Sequence, residues 1–300
     1  MAIGEKTLKL KKNLRRVFAA VLVLLMTAVI AIFFMVRSRS FHRYVLAKLI
    51  ERTAEATGGR VEIGDYTFQW FPLRADIYRV VIHGTETDPA APLFASDHLG
   101  VGLRIISVFE RKVDLTELVI DHPVIHLFVD PSGRTNVPQP RGSGEGQTPL
   151  NVFDFAIKHF HLQGGELYCN DRQMPLDAEL HNLEAQAEFD PVKTQYTSAL
   201  SYRRGRLRLS DLNPLQHDLE AGFNASPSGL NFDHIKVTTI SSSLSAQASV
   251  RDYSNPAFEA TYQATISLEE LKTILKEAAL PIGEVSVNGT ARYRYAPGQP

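Results

Sequence analysis

Residues 17–36, VFAAVLVLLMTAVIAIFFMV, form an apolar run with Thr27 as its only polar side chain, and from Arg60 onward apolar and polar positions alternate with period two. At ~1.5 Å of rise per residue, a helix of this length crosses roughly 30 Å of hydrocarbon with every backbone polar group satisfied internally. The run carries no charge, and a single central charge would oppose insertion by about 2.5 to 3.5 kcal/mol. The pattern therefore predicts a transmembrane helix over 17–36. A cleavable signal peptide is the alternative, but its apolar region is shorter and ends in small residues, whereas this run ends in Met35-Val36-Arg37-Ser38-Arg39. Lys9, Lys11, Lys12, Arg15 and Arg16 precede the run and mark 1–16 as a basic, cytosolic N-terminus.

Over 40–57 the period becomes helical. Phe41, Val45, Leu46, Leu49 and Ile50 fall on one stripe, Arg43, Lys48, Glu51 and Arg52 fall largely outside it, and Gly58-Gly59 supplies a left-handed cap. This amphipathic helix packs on the following sheet or lies on a membrane surface as a collar. Val61, Ile63, Phe68 and Trp70 then open a first β region over 60–137, with further strands at Ile77–Ile82, Leu99–Ile106 and Leu118–Val129. Residues 138–149, PQPRGSGEGQTP, read as a flexible linker. A second β region over 150–300 follows, with strands at Tyr196–Leu209, His217–Ala225, Leu230–Thr239, Leu244–Val250 and Phe258–Leu268. One helix, 268–279, interrupts it, signalled by Ser267 at the N-cap and Glu270 three residues on.

These strands have one oily and one wet side. Phe258, Ala260, Tyr262, Ala264 and Ile266 share a face, Glu259, Thr261, Gln263 and Thr265 the other, and Val285, Val287, Ala291 and Tyr293 repeat the pattern. Two helices are too few to cover so many strands. The oily side is therefore hidden by a second sheet, by closure into a barrel, or by an apolar ligand. If a ligand covers it, Leu244, Phe258, Tyr262, Ile266, Val285 and Val287 are the candidate contacts.

Composition narrows the choice of chemistry. Lys and Arg number 32 against 33 Asp and Glu, which does not suit nucleic-acid binding, and Cys169 is the only cysteine, so no internal disulfide forms. The metalloprotease, P-loop, dinucleotide and nucleophile-elbow motifs are absent. His159 and His161 share a strand face and would bind zinc if Asp171 joined them, though solvent-facing polar positions explain them more simply. His122 and His126 form the other close histidine pair. Arg203, Arg204, Arg206 and Arg208 read as a solvated hairpin tip centred on Gly205, with contact to anionic headgroups or to an acidic partner as the alternative. No cofactor is implied.

Several segments occur in an order that resembles the AsmA-like family of bacterial inner-membrane proteins related to TamB. They are the anchor, Thr57-Gly58-Gly59-Arg60-Val61-Glu62-Ile63-Gly64, Trp70-Phe71-Pro72-Leu73, Leu118–Leu127 with Asp121-His122-Pro123, Gly133-Arg134-Thr135-Asn136, and Phe160–Tyr168 with a Gly164-Gly165 hairpin. The resemblance implies a mainly β protein: a single transmembrane helix, then an elongated, curled antiparallel sheet forming a U-sectioned groove in the periplasm. It also implies non-enzymatic movement of phospholipid from the inner membrane toward the outer membrane. A membrane-anchored scaffold or assembly factor for outer-membrane or other envelope proteins is the rival expectation.

Overall fold

The alternation that begins at Arg60 appears as strand pairing in the computed structural model, which describes residues 26–27, 34–35, 37–86, 91–103, 115–139, 153 and 156–294. The run 17–36 lies almost wholly outside the described residues. Its four described members, Met26, Thr27, Phe34 and Met35, are helical. Among the described residues no helix is long and apolar enough to cross a membrane. The chain divides into two units, Met1–Arg52 and Thr53–Pro300.

Helix α1 spans Arg39–Thr57. Its stripe of Phe41, Val45, Leu46, Leu49 and Ile50 is half-buried, while Arg43, Lys48, Glu51 and Arg52 are exposed. Ser38 Oγ accepts from the Phe41 N–H at 3.1 Å and so satisfies a donor at the helix start. Gly58, at φ 76°, ends the helix, its N–H donating to Ala54 O at 2.9 Å.

Thirteen strands follow: β1 (Arg60–Gln69), β2 (Arg74–His83), β3 (Phe94–Leu103), β4 (Leu115–Asp121), β5 (Val124–Val129), β6 (His159–Asp171), β7 (Leu176–Asp190), β8 (Gln195–Leu209), β9 (Leu215–Ser226), β10 (Gly229–Thr238), β11 (Ser243–Arg251), β12 (Ala257–Ser267) and β13 (Glu284–Arg294). All belong to one sheet, in the order β1-β2-β3-β4-β6-β7-β8-β9-β10-β11-β12-β13. β4 and β5 are two halves of one line, both antiparallel to β3 and both parallel to β6. The sheet is thus mixed rather than purely antiparallel. The two β regions expected on either side of 138–149 are one sheet, because the chain returns after β5 to pair β6 in parallel. That return is the kind of crossover a parallel pair demands.

Two expected hairpin tips are corrected. Gly164-Gly165 lies inside β6 and Gly205 inside β8, each at a shift of register. These are β-bulges, where glycine tolerates the local backbone and close approach. They belong to a line of left-handed residues: Arg79 on β2, His122 between β4 and β5, Gly164 on β6, Asn182 on β7 and Arg204 on β8. Contacts link the line from strand to strand. His122 Nδ1 lies 3.5 Å from Asp97 on β3, the His122 N–H donates to Gln163 O at 2.9 Å, the Gly164 N–H to Glu184 Oε1 at 3.2 Å, and the Arg204 N–H to Asp218 Oδ1 at 2.7 Å. Bulges in general bend strands and increase their twist.

Helix α2 spans Leu268–Leu275 and stops at Lys276 in the left-handed conformation, four residues short of the expected end. Ser267 Oγ accepts from the Glu270 N–H at 3.4 Å as the N-cap predicts. The Glu270 carboxylate does not reach back to its own cap. It accepts instead from Ser242 Oγ and, at 2.6 Å, from Thr239 Oγ1, and Ser242 Oγ accepts the Ser267 N–H at 3.1 Å. The box is closed through the β10–β11 turn.

Candidate functional site

Strand register places residues directly opposite one another on the same face, so the pairings can be followed across the whole sheet. One row reads Phe68, Ala75, Val101, Leu118, Phe160, Ala187, Ser198, Phe223, Phe232, Ala248, Ala260, Ala291 from β1 to β13. The next reads Tyr66, Ile77, Leu99, Ile120, Leu162, Ala185, Leu200, Ala221, Ile235, Ala246, Tyr262, Gly289. A row of the opposite face reads Gln69, Arg74, Gly102, Glu117, His159, Glu188, Thr197, Asn224, Asn231, Ser249, Glu259, Arg292. An oily face and a wet face thus extend through every strand on the path.

No second sheet lies over the oily face among the described residues, since all thirteen strands belong to one. Among those residues few apolar side chains are buried, Leu162, Ala221, Ala248 and Ala260 of the two oily rows among them. Their neighbours are half-exposed. The described β1 and β13 stand at opposite ends of the strand order, so the strands do not close into a barrel.

All six candidate contacts fall on this face near its β13 end. Leu244 pairs Ala264, which pairs Val287; Ile266 pairs Val285; Phe258 pairs Tyr293; Tyr262 pairs Gly289. Phe258, Val285 and Val287 are 37, 40 and 36% exposed. A Cβ at Gly289 would sit 2.9 Å from Tyr262 Oη, so the missing side chain makes room for that ring. Small residues at Ala246, Ala248, Ala260 and Ala264 keep the surface low beside the aromatics.

The sequence did not reveal the principal polar cluster, on β2, β3 and β4. His98 Nδ1 lies 2.6 Å from Asp121 Oδ2, and its Nε2 lies 2.9 Å from Asp76 Oδ1. Arg74 Nε donates to Asp76 Oδ1 at 2.8 Å and Arg74 Nη1 to Glu117 Oε2 at 2.6 Å. Burial lowers the His98 pKa, but hydrogen bonds to Asp76 and Asp121 outweigh it and raise the value above that of a free imidazole. Burial likewise pushes Asp76 up, and hydrogen bonds from Arg74 and His98 bring it below the usual carboxylate range. With both imidazole nitrogens committed to carboxylates, this cluster acts as a clamp across three strands.

The other polar candidates do not converge. His159 faces Glu188 at 3.8 Å, while Asp171 lies at the opposite end of β6, where its Oδ1 accepts from the Gln173 and Met174 N–H groups. Among the described residues no three His, Cys, Asp or Glu side chains are placed to hold a metal. His126 stacks on Tyr168 at 5.0 Å, and Tyr168 donates to Glu166 Oε2 at 2.7 Å, which holds its hydroxyl pKa up at about 12. Arg203 lies 3.2 Å from Glu220, Arg206 lies 3.5 Å from Glu179, and Arg208 pairs Asp177. The basic run therefore meets an acidic partner within its own sheet. Compared with known proteins, the chain matches no family model and no curated sequence.

Proposed function

We propose that this chain is an AsmA-like, membrane-anchored, non-enzymatic lipid-transfer protein of the bacterial envelope, whose oily sheet face carries phospholipid from the inner toward the outer membrane. The observation that carries the reading is an apolar face that continues through twelve paired strands with no second sheet over it among the described residues. An acyl chain gains ~0.8 kcal/mol for each methylene removed from water, so a continuous greasy surface lowers the barrier to crossing an aqueous gap. The seam of bulges supplies the bend that turns a flat face into a trough. The apolar run 17–36 supplies the tether, with the N-terminus cytosolic and the bulk periplasmic.

A second reading, a scaffold or assembly factor for envelope proteins, is favoured by one observation. β13 is exposed at every residue except Gly289 and is an edge among the described residues, and an open edge is a template for another strand. Photo-crosslinkers placed in the full-length protein in native membranes separate the two. Lipid transfer predicts that probes at Tyr262 and Val287 capture phospholipid while probes at Glu259 and Thr261 capture none. Protein adducts at all four positions, without lipid, would replace transport with the scaffold.

A further inference from the structure

The β1–β2 turn carries the one contiguous run of exposed large apolar residues among the described strand connections. Trp70 and Phe71 are 62 and 89% exposed, Pro72 beside them is exposed, and Phe68 at the end of β1 is 38% exposed. The run is held in place rather than left to collapse. Trp70 sets its ring edge-on against Phe68 at 4.9 Å, and Leu73 O accepts the Leu103 N–H at 2.8 Å, which fixes the turn to β3. Phe68 also begins one of the oily rows, so the exposed turn is continuous with the apolar face. Exposed apolar side chains at a fixed turn mark a place where something else is bound. Indole, with its apolar body and single N–H donor, suits the boundary between headgroups and acyl chains, where tryptophan is enriched. Residues 37–69 separate the apolar run 17–36 from this turn, which follows β1, the end strand of the sheet.

We propose that the Trp70-Phe71-Pro72 turn docks into the interfacial layer of a phospholipid bilayer and joins the start of the oily face to that layer. The proposal deepens the lipid-transfer reading and rests on its membrane setting, though not on lipid being carried along the sheet. Trp70 is the only tryptophan in the chain, so intrinsic fluorescence reports this turn alone.

The test reconstitutes the full chain into phosphatidylcholine–phosphatidylglycerol liposomes containing phosphatidylcholine brominated at known depths. Docking predicts a blue-shifted emission, shielding from iodide, and quenching that is strongest for bromines nearest the headgroups. Phe71→Ser should weaken that quenching several-fold. Val192→Ser should leave it unchanged: Val192 is 92% exposed in the β7–β8 turn, which follows the same row at Ala187. Emission typical of water, quenched by iodide and untouched by brominated lipid, overturns the proposal. So does quenching that ignores bromine depth and survives Phe71→Ser, which would place lipid along the sheet rather than the turn in a bilayer. The Tyr262 and Val287 crosslinks remain a separate readout, so a docked turn with no lipid adducts would sink transport and leave docking standing.

Discussion

His98 shows how a single side chain can determine the local response to pH. Its imidazolium sits between Asp76 and Asp121, with Arg74 and Glu117 completing the cluster and the Tyr78 ring 5.2 Å away. Because its folded-state pKa is raised, the stabilisation is fully present below the unfolded value of about 6.5 and is lost as pH rises through the folded value. Asp76 behaves oppositely: its lowered pKa contributes above the ordinary carboxylate range and is lost only in acid. Urea midpoints measured from pH 6 upward should therefore fall in the native protein, and His98→Gln should remove that slope. His98→Ala should cost about 3 kcal/mol near neutrality, since it leaves the half-buried Asp121 without its imidazolium and Asp76 with Arg74 as its one remaining cation. A midpoint independent of pH in the native protein would refute the clamp. Little of this cluster was legible in the sequence. Asp121 stands next to His122, which invites a local pairing, but its true partner lies 23 positions away and is brought near by the β3–β4 register.

Helix signals in this chain are local, whereas strand signals depend on the neighbouring strands. The stripe of α1, its glycine cap and the Ser267 N-cap all sit where local periodicity places them, because helix chemistry is settled within a few residues. The strand Leu176–Asp190 was missing from the strands expected from sequence. Its Ala, Leu and Glu residues are good helix formers, and pairing to β6 and β8 overrides that preference. Glycines within β6 and β8 resembled turns for a related reason: bulge and hairpin both need glycine's freedom, and only the neighbouring strand distinguishes them. Two outcomes test these assignments. Gly164→Ala should cost about 1 to 3 kcal/mol, because φ is 64° and the added Cβ would lie 2.6 Å from the His122 ring. Glu270→Ala should destabilise by about 1 to 3 kcal/mol, removing the carboxylate that accepts from both Ser242 and Thr239, and should speed amide exchange through α2 more than Ser267→Ala does. Equal exchange in both variants would show that the β10–β11 turn does not hold the helix.

The whole molecule is governed by an imbalance that alternation alone announces: many strands with one oily side, and only two helices among the described residues to cover them. Alternation could not reveal that the segments on either side of 138–149 join one sheet. A parallel return is decided by which edges meet, not by any local pattern. It also left open whether the oily side is sealed, and since all thirteen strands form one sheet, no second sheet seals it among the described residues. A charge placed on each face measures what this means for function. Ala246 lies in an oily row near the middle of β11, half-buried, and its neighbour Ser245 points to the wet face between Lys236 and Gln263. If the oily face needs only to be apolar for packing, Ala246→Glu should unfold the β10–β12 region, as a carboxylate buried without a partner costs several kcal/mol. If the face is open and bears lipid, the carboxylate remains solvated and the fold survives. The native circular dichroism spectrum is then kept while phospholipid crosslinking from Val287 is lost. Ser245→Glu should change neither. Retained lipid adducts in a folded Ala246→Glu protein would show that acyl chains do not run along this row, and the transfer reading would fail with them.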